Sequence, residues 1–250
     1  MVLKDKVVIV TGAGSGIGLA TAKRFICEGA WVIFADIKEI GKDEKKIANG
    51  NKAHFCQVNV SKPHEVVALF NKVQNDFGRL DILINNAGVE LAKKVTETSL
   101  KEWNHVMDVN LKGVFLCSKA AIPIMRRHGG GSIVNVASEL GLVGGSEIAA
   151  YCASKGGVVQ LTKAMALDHA MDNIRVNCVC PGPVDTPLLR RIIACSGSPQ
   201  EEEQRIESSI PLKRVAAPEE IANVILFLAS AGSSFMTGSV VAVDGGWSAR

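Results

Sequence analysis

Tyr151 is the only tyrosine in a chain of 250 residues, and Lys155 follows it within the stretch YCASKGG. Residues four apart on a helix share a face, with Cβ atoms about 5–6 Å apart. An ammonium group beside a phenol favours the phenolate. Bringing tyrosine from its ordinary pKa of about 10 down to about 7 takes roughly 4 kcal/mol. One unit charge at ~4 Å, in an effective dielectric of ~20, supplies about that much. The pair therefore has the makings of a general acid and base working near neutral pH. Packing gives no separate reason for a phenol, because eight phenylalanines and the aliphatic residues fill that role elsewhere.

A second constellation lies near the start. TGAGSGIG (residues 11–18) follows the apolar run VVIV and opens a helical pattern. Gly12, Gly16 and Gly18, with Ser15 and Ile17 between them, would let backbone amides approach a pyrophosphate, whose charge suits a helix N-terminus. Asp36 ends the next apolar run, WVIFAD. A carboxylate there accepts hydrogen bonds from adenosine ribose hydroxyls and repels a 2′-phosphate. Ser15 and Ile37 supply no cation for such a phosphate, so the expected cofactor is NAD rather than NADP.

These groups need a scaffold, and the sequence outlines one. Strand-like runs at 7–12, 31–36, 53–58, 80–86, 132–138, 174–180 and 239–245 are nearly continuous apolar segments, as in strands buried on both faces of a parallel sheet. Helical patterns alternate with them. Pro63 after Ser61, Ser99 with Glu102, and Pro218 before Glu219 and Glu220 mark helix starts. Gly129, Gly130 and Gly131 end the long central helix. The alternation predicts an α/β doubly wound sheet. With no linker or repeat, residues 1–250 read as a single domain. Segments 104–122 and 151–167 are apolar or small nearly all round, which predicts burial on several sides and a homo-oligomeric contact.

Composition excludes other classes. Net charge is +3, hydrophobic residues make up 47% and charged residues 21%. Charges are interleaved, as at Lys42-Asp43-Glu44-Lys45-Lys46, which reads as a solvated helix face, so no nucleic-acid stripe exists. No segment reaches the roughly 18 apolar residues of a membrane span, and the N-terminus lacks a secretory pattern, so a cytoplasmic protein is expected. The seven cysteines, at 27, 56, 117, 152, 178, 180 and 195, are then expected to be free thiols. Cys178 and Cys180 share one face of a strand and read as core packing, not as metal ligands. Cys195 is expected to be exposed. Neither G-x-S-x-G nor H-E-x-x-H occurs, so hydrolase and zinc-peptidase chemistry have no support.

TGAGSGIG, NNAG (85–88), Asn110, Ser138, the Tyr151–Lys155 pair and PGPVDT (181–186) occur in an order that resembles the short-chain dehydrogenase/reductase family. The resemblance runs from about residue 5 to 247. It implies a Rossmann-like sheet of about seven strands and hydride transfer between a nicotinamide and an alcohol or ketone carbon. It implies that Tyr151 is the acid/base, with Lys155 lowering its pKa and holding the nicotinamide ribose. Ser138 would hydrogen-bond the reacting oxygen, and Asn110 would hold a water that links Lys155 to solvent. Asn86, Ala87 and Gly88 would follow the adenosine side, and Pro181, Gly182, Val184 and Thr186 the nicotinamide side. Asn59, beside Val60, stands where many members carry an aspartate and would accept from adenine through its side-chain oxygen. The two apolar helices would pair in a homotetramer.

The substrate is less legible. Residues 187–213 match the family's substrate-covering loop, with Leu188, Leu189, Ile192 and Ile193 as an apolar lid and Arg190 and Arg191 on a solvated face or, alternatively, meeting an acidic substrate. Gly141, Gly144 and Gly145 would leave room beside the catalytic pair. Glu90 and Glu139 read either as surface or salt-bridged structure or as carboxylates facing a hydroxyl-rich substrate, and NNAGVE resembles sugar-oxidising and dihydroanticapsin-type dehydrogenases. The expected activity is NAD-dependent oxidation of a secondary alcohol, with cyclic and polyhydroxylated compounds as candidates. The alternatives are a 3-oxoacyl reductase, disfavoured by Ser15 where such enzymes carry arginine, and a non-catalytic NAD-binding regulator.

Overall fold

The computed structural model describes residues 1–38 and 52–249. The lysine-rich stretch 42–46 lies outside the described residues. Seven strands form one sheet: β1 (Val7–Thr11), β2 (Trp31–Asp36), β3 (Ala53–Gln57), β4 (Ile82–Asn85), β5 (Gly131–Val136), β6 (Ile174–Pro181) and β7 (Val240–Val243). Their order is β3-β2-β1-β4-β5-β6-β7, and every neighbouring pair is parallel. All seven match the expected runs, with ends differing by a few residues.

The runs of β1, β2, β4, β5 and β6 are continuous because those strands pack on both sides, while the edge strands β3 and β7 are only partly covered. Along β1, Val8 and Val10 join one core with Phe25 of α1 (Gly16–Cys27) and with Ile221 and Ile225 of the C-terminal helix Pro218–Ala229. Val7 and Ile9 join the other core, with Phe70 of α2 (Pro63–Phe77). Cys117 and Met125 join that core from α4 (Gly113–Arg127), and Met165 from α5 (Ala149–Asp168). The strand order reverses beside β1, so the carboxyl ends of β1 and β4 flank a crevice where parallel sheets hold ligands.

The long helix expected over 104–122 is built in three parts. α3 (Leu100–Met107) passes through a wide π turn, Asp108–Lys112, straight into α4. Its start carries the expected capping box: Ser99 Oγ accepts from Glu102 N–H at 3.3 Å, and Glu102 Oε2 accepts from Ser99 N–H at 3.0 Å. The expected loop 187–213 is largely helical, as α6 (Pro187–Ala194) and α7 (Pro199–Ser209), and the helix Pro218–Ala229 becomes α8. Pro63 opens α2 as expected, with Lys62 at the N-cap.

Buried polar side chains fix α5 against the sheet. Asn85 Nδ2 donates to Ser118 Oγ at 3.1 Å and to Asn135 Oδ1 at 2.8 Å. Asn135 Nδ2 donates to Thr162 Oγ1 at 2.9 Å. These bonds tie β4, β5, α4 and α5 into one register, although the buried Asn85 Oδ1 has no partner among the described residues. All seven cysteines are free; Cys178 and Cys180 are buried with sulfurs 3.9 Å apart, while Cys195 and Cys27 are exposed. Among the described residues no helix is long and apolar enough to cross a membrane.

Candidate active site

The crevice opens into a cleft of about 710 Å³. Every residue expected to hold the dinucleotide lines it except Gly18, which supports the cleft from below. A Cβ on Gly18 would stand 2.1 Å from Gly12 O, so only glycine lets α1 pack this closely on the loop. Gly12 has φ +64°, and a Cβ there would meet Ala87 Cα at 2.8 Å. The loop is pinned from β4: Asn86 Nδ2 donates to Thr11 O at 3.0 Å and to Gly12 O at 3.1 Å. Thr11 Oγ1 accepts from Asn86 N–H at 3.0 Å and Ala87 N–H at 3.1 Å. The result is an open backbone cradle at a helix N-terminus, which suits a pyrophosphate.

At the adenosine end, Asp36 Oδ2 accepts from Gly14 N–H at 2.8 Å and Oδ1 from Lys38 N–H at 3.0 Å. The carboxylate is held against the glycine loop, and each oxygen keeps a lone pair for a ribose hydroxyl. Lys38 lines the same cleft and was not anticipated, although it stands only two residues past the strand end. Asn59 departs from expectation. Its Oδ1 accepts from Ser61 N–H at 3.0 Å and Ser61 Oγ–H at 2.7 Å, which uses both lone pairs in the turn before α2. Only its Nδ2 donor is left for an adenine.

At the other end, Ser138, Tyr151 and Lys155 come together. Lys155 is buried; its Nζ donates to Val136 O at 2.9 Å and lies 5.6 Å from the Tyr151 ring centroid. At that separation and an effective dielectric of ~20, its pull on a phenolate is worth about 3 kcal/mol. Burial opposes this pull and wins. It pushes Tyr151 above the ordinary tyrosine range, with the Glu90 and Glu139 carboxylates adding to the rise. The i+4 spacing therefore supplies the cation, but in the polypeptide alone the cation does not bring the phenol down to 7. Burial also pushes Lys155 down to about 8.

Ser138 Oγ donates to Glu139 Oε2 at 2.6 Å and accepts from Leu140 N–H at 3.2 Å. Burial drives Glu139 up to about 7, with the Ser138 hydrogen bond opposing. Glu90 is raised by burial as well, with Lys155 opposing. Asn110 lies behind the cleft wall. Its Oδ1 accepts from Val89 N–H at 2.8 Å, and its Nδ2 donates to Val89 O at 2.9 Å and Ser154 Oγ at 3.0 Å. Both amide hydrogens are committed, so a water can reach this side chain only at Oδ1. A Cβ on Gly88 would lie 3.5 Å from both Asn110 Oδ1 and Lys155 Nζ, which places the two atoms on either side of one small space.

The outer wall comes from the segment after β6 and from α6 and α7. Thr186 Oγ1 accepts from Leu189 N–H at 3.3 Å and caps α6. Leu188, Leu189 and Ile192 line the cleft, as does Arg191; Arg190 instead pairs with Asp185 at 2.6 Å. Gly145 does not line it; a Cβ there would meet the side chains of Ile148 and Leu140 at 2.8 and 2.9 Å. Trp247 and His105 line it unanticipated; each arrives through tertiary packing that no local pattern announces.

A dinucleotide cradle at one end of a cleft and, at the other, a half-buried phenol beside a buried amine and hydroxyl define a Rossmann-type oxidoreductase. Comparison with known proteins narrows this class. Residues 12–248 match the family described as Enoyl-(Acyl carrier protein) reductase, adh_short_C2. The meso-2,3-butanediol dehydrogenase of Serratia marcescens is 45% identical over 244 residues, covering 97% of this chain and 94% of that protein. The 3-oxoacyl-[acyl-carrier-protein] reductase of Thermotoga maritima is 41% identical over 249 residues, covering 98% and 99%. The solved aldohexose dehydrogenase of Thermoplasma acidophilum superposes with a TM-score of 0.92 at 38% identity, covering 99% of this chain and 96% of that one. The chain belongs to the short-chain dehydrogenase/reductase family.

Proposed function

We propose that the protein is an NAD-dependent dehydrogenase of secondary alcohols that carry a second hydroxyl nearby, with Tyr151 as the general acid/base. The observation that carries the reading is the convergence of Tyr151, Lys155 and Ser138 in one cleft whose far end is held by Asp36. NAD, when bound, accepts the hydride. The rest belongs to the chain. Tyr151, as the phenolate, takes the proton of the reacting hydroxyl. Lys155 holds positive charge beside that phenolate before the transfer and relays the phenol's proton onward after it. Ser138 donates a hydrogen bond to the reacting oxygen. Water held near Asn110 Oδ1 returns the proton from Lys155 to solvent through the gap at Gly88.

Asp36 supports NAD, since its carboxylate repels a 2′-phosphate. Glu90 and Glu139 support a substrate with more than one hydroxyl, because carboxylates in a partly apolar cleft accept hydroxyl donors. The named activities of the Serratia and Thermoplasma relatives, on a diol and on an aldohexose, agree with this reading. A second reading, NADPH-dependent reduction of 3-oxoacyl thioesters, draws on Lys38 in the cleft and on the Thermotoga relative. We further propose one catalytic domain assembled as a homotetramer through α3–α4 and α5, where Phe115 is 46% and Leu167 is 82% exposed.

A screen of vicinal diols, cyclic alcohols, aldohexoses and 3-oxoacyl thioesters, followed by absorbance of the reduced nicotinamide, tests the function. Turnover of a diol, cyclic alcohol or sugar with NAD supports the first reading. Turnover confined to thioesters with NADPH replaces it with the second.

A further inference from the structure

Glu139 is 8% exposed, its Oε2 lies 2.6 Å from Ser138 Oγ, and it lines the cleft beside Tyr151. The hydrogen-bond inventory of Ser138 gives this contact a consequence. A serine oxygen has one hydrogen to donate and two lone pairs. One lone pair accepts the Leu140 N–H. When Glu139 is ionised it can only accept, so Ser138 turns its hydrogen inward and offers the cleft a lone pair. When Glu139 is protonated it can donate to that lone pair, and the serine hydrogen is released toward the cleft. A ketone oxygen accepts hydrogen bonds and cannot donate them, so it needs the second arrangement.

We infer that Glu139 is a positioning residue that aims the Ser138 hydroxyl, making it a donor to a carbonyl oxygen only while Glu139 carries a proton. This rests on the dehydrogenase reading above and adds a pH dependence to it. Ketone reduction needs Ser138 as donor throughout. Oxidation passes through the same transition state, where the oxygen is becoming a carbonyl, so it needs the same donor there even though the starting alcohol can bind in either arrangement.

The titration of Glu139 is set by groups on several elements. Burial raises it, the Ser138 hydrogen bond opposes, and Asp244 after β7 adds to the rise; Lys155 and Tyr151 of α5 feel its charge, as they feel that of Glu90 after β4. Burial in this surround places its midpoint at about 7, inside the working range of pH.

The test uses the full-length protein and the ketone product of whichever alcohol the screen identifies, with NADH. Wild-type kcat/KM for reduction should fall above the Glu139 midpoint of about 7. Glu139→Gln cannot ionise, so that fall should be absent, leaving only the separate one set by Tyr151, which must carry a proton to act as the acid. A fall at the Glu139 midpoint that persists in Glu139→Gln overturns the inference. The second measurement needs no turnover: the carboxyl of Glu139, followed by NMR of protein labelled with 13C-glutamate, should titrate near neutrality in wild type and higher in Ser138→Ala. A Glu139 carboxyl ionised throughout pH 5–9 overturns it whether or not the Gln variant folds. Failure of every carbonyl compound with NADH, by contrast, refutes the dehydrogenase reading itself.

Discussion

Lys155→Met should stabilise the protein at pH 7 and destabilise it at pH 10. Lys155 is 4% exposed, and burial lowers its pKa from the ordinary 10.5 to about 8. Folding therefore favours the neutral amine. The cost of the charged form is fully present below the folded value of about 8 and fades as pH rises toward 10.5. At about 1.4 kcal/mol per pH unit, that cost at pH 7 is about 3 kcal/mol. Methionine fills a similar volume without charge but leaves the Val136 carbonyl without its donor at 2.9 Å. An unpaired buried carbonyl costs about 1–3 kcal/mol. The net gain at pH 7 is then up to about 2 kcal/mol, or up to about 8 °C in Tm for a chain of this length. At pH 10 most of the charge cost has gone, and the orphaned carbonyl leaves the variant the weaker protein. Guanidinium denaturation of both proteins at the two pH values reads the sign directly. A variant destabilised equally at pH 7 and pH 10 would refute the assignment of Lys155 as a cation held at the expense of stability.

Tyr151→Phe keeps the ring and loses the proton carrier, so cofactor affinity should hold while kcat falls by about a thousandfold or more; retained turnover would move the acid/base elsewhere. Asp36→Ala removes the ribose acceptor and the repulsion of a 2′-phosphate, leaving Lys38 in the cleft. NAD affinity should fall about 10–100-fold while NADP gains, measured by quenching of tryptophan fluorescence; an unchanged preference would clear Asp36 of that role. Size-exclusion chromatography with light scattering should give four copies per particle, and a stable monomer would defeat the proposed use of α4 and α5.

Much of the scaffold was legible because its signals are local. The strands are apolar runs that parallel pairing forces to be buried on both faces, and TGAGSGIG sits where such a sheet turns into a helix. The α7 helix was hidden because Pro199–Ser209, PQEEEQRIESS, has no apolar stripe to announce a buried face. The π turn at Asp108–Lys112 was hidden because residue spacing does not distinguish a wide turn from an ordinary one. Asn59 and Asn110 were legible as residue types but not as partners. Each amide is committed to neighbours, Ser61 in one case and Val89 with Ser154 in the other, that composition and spacing do not rank. The same limit applies to Tyr151. Its spacing from Lys155 could be read, but the depth of burial that outweighs the lysine is a property of the folded cleft.

The central claim is that this phenol becomes a usable base in the assembled site, and the chain has no second tyrosine to confuse the measurement. The absorbance of the phenolate, followed against pH with and without saturating oxidised NAD, tests it most directly. The account predicts a midpoint above that of free tyrosine for the polypeptide alone and well below it, toward neutrality, with NAD bound. A midpoint that stays at or above that of free tyrosine in the presence of NAD would contradict it.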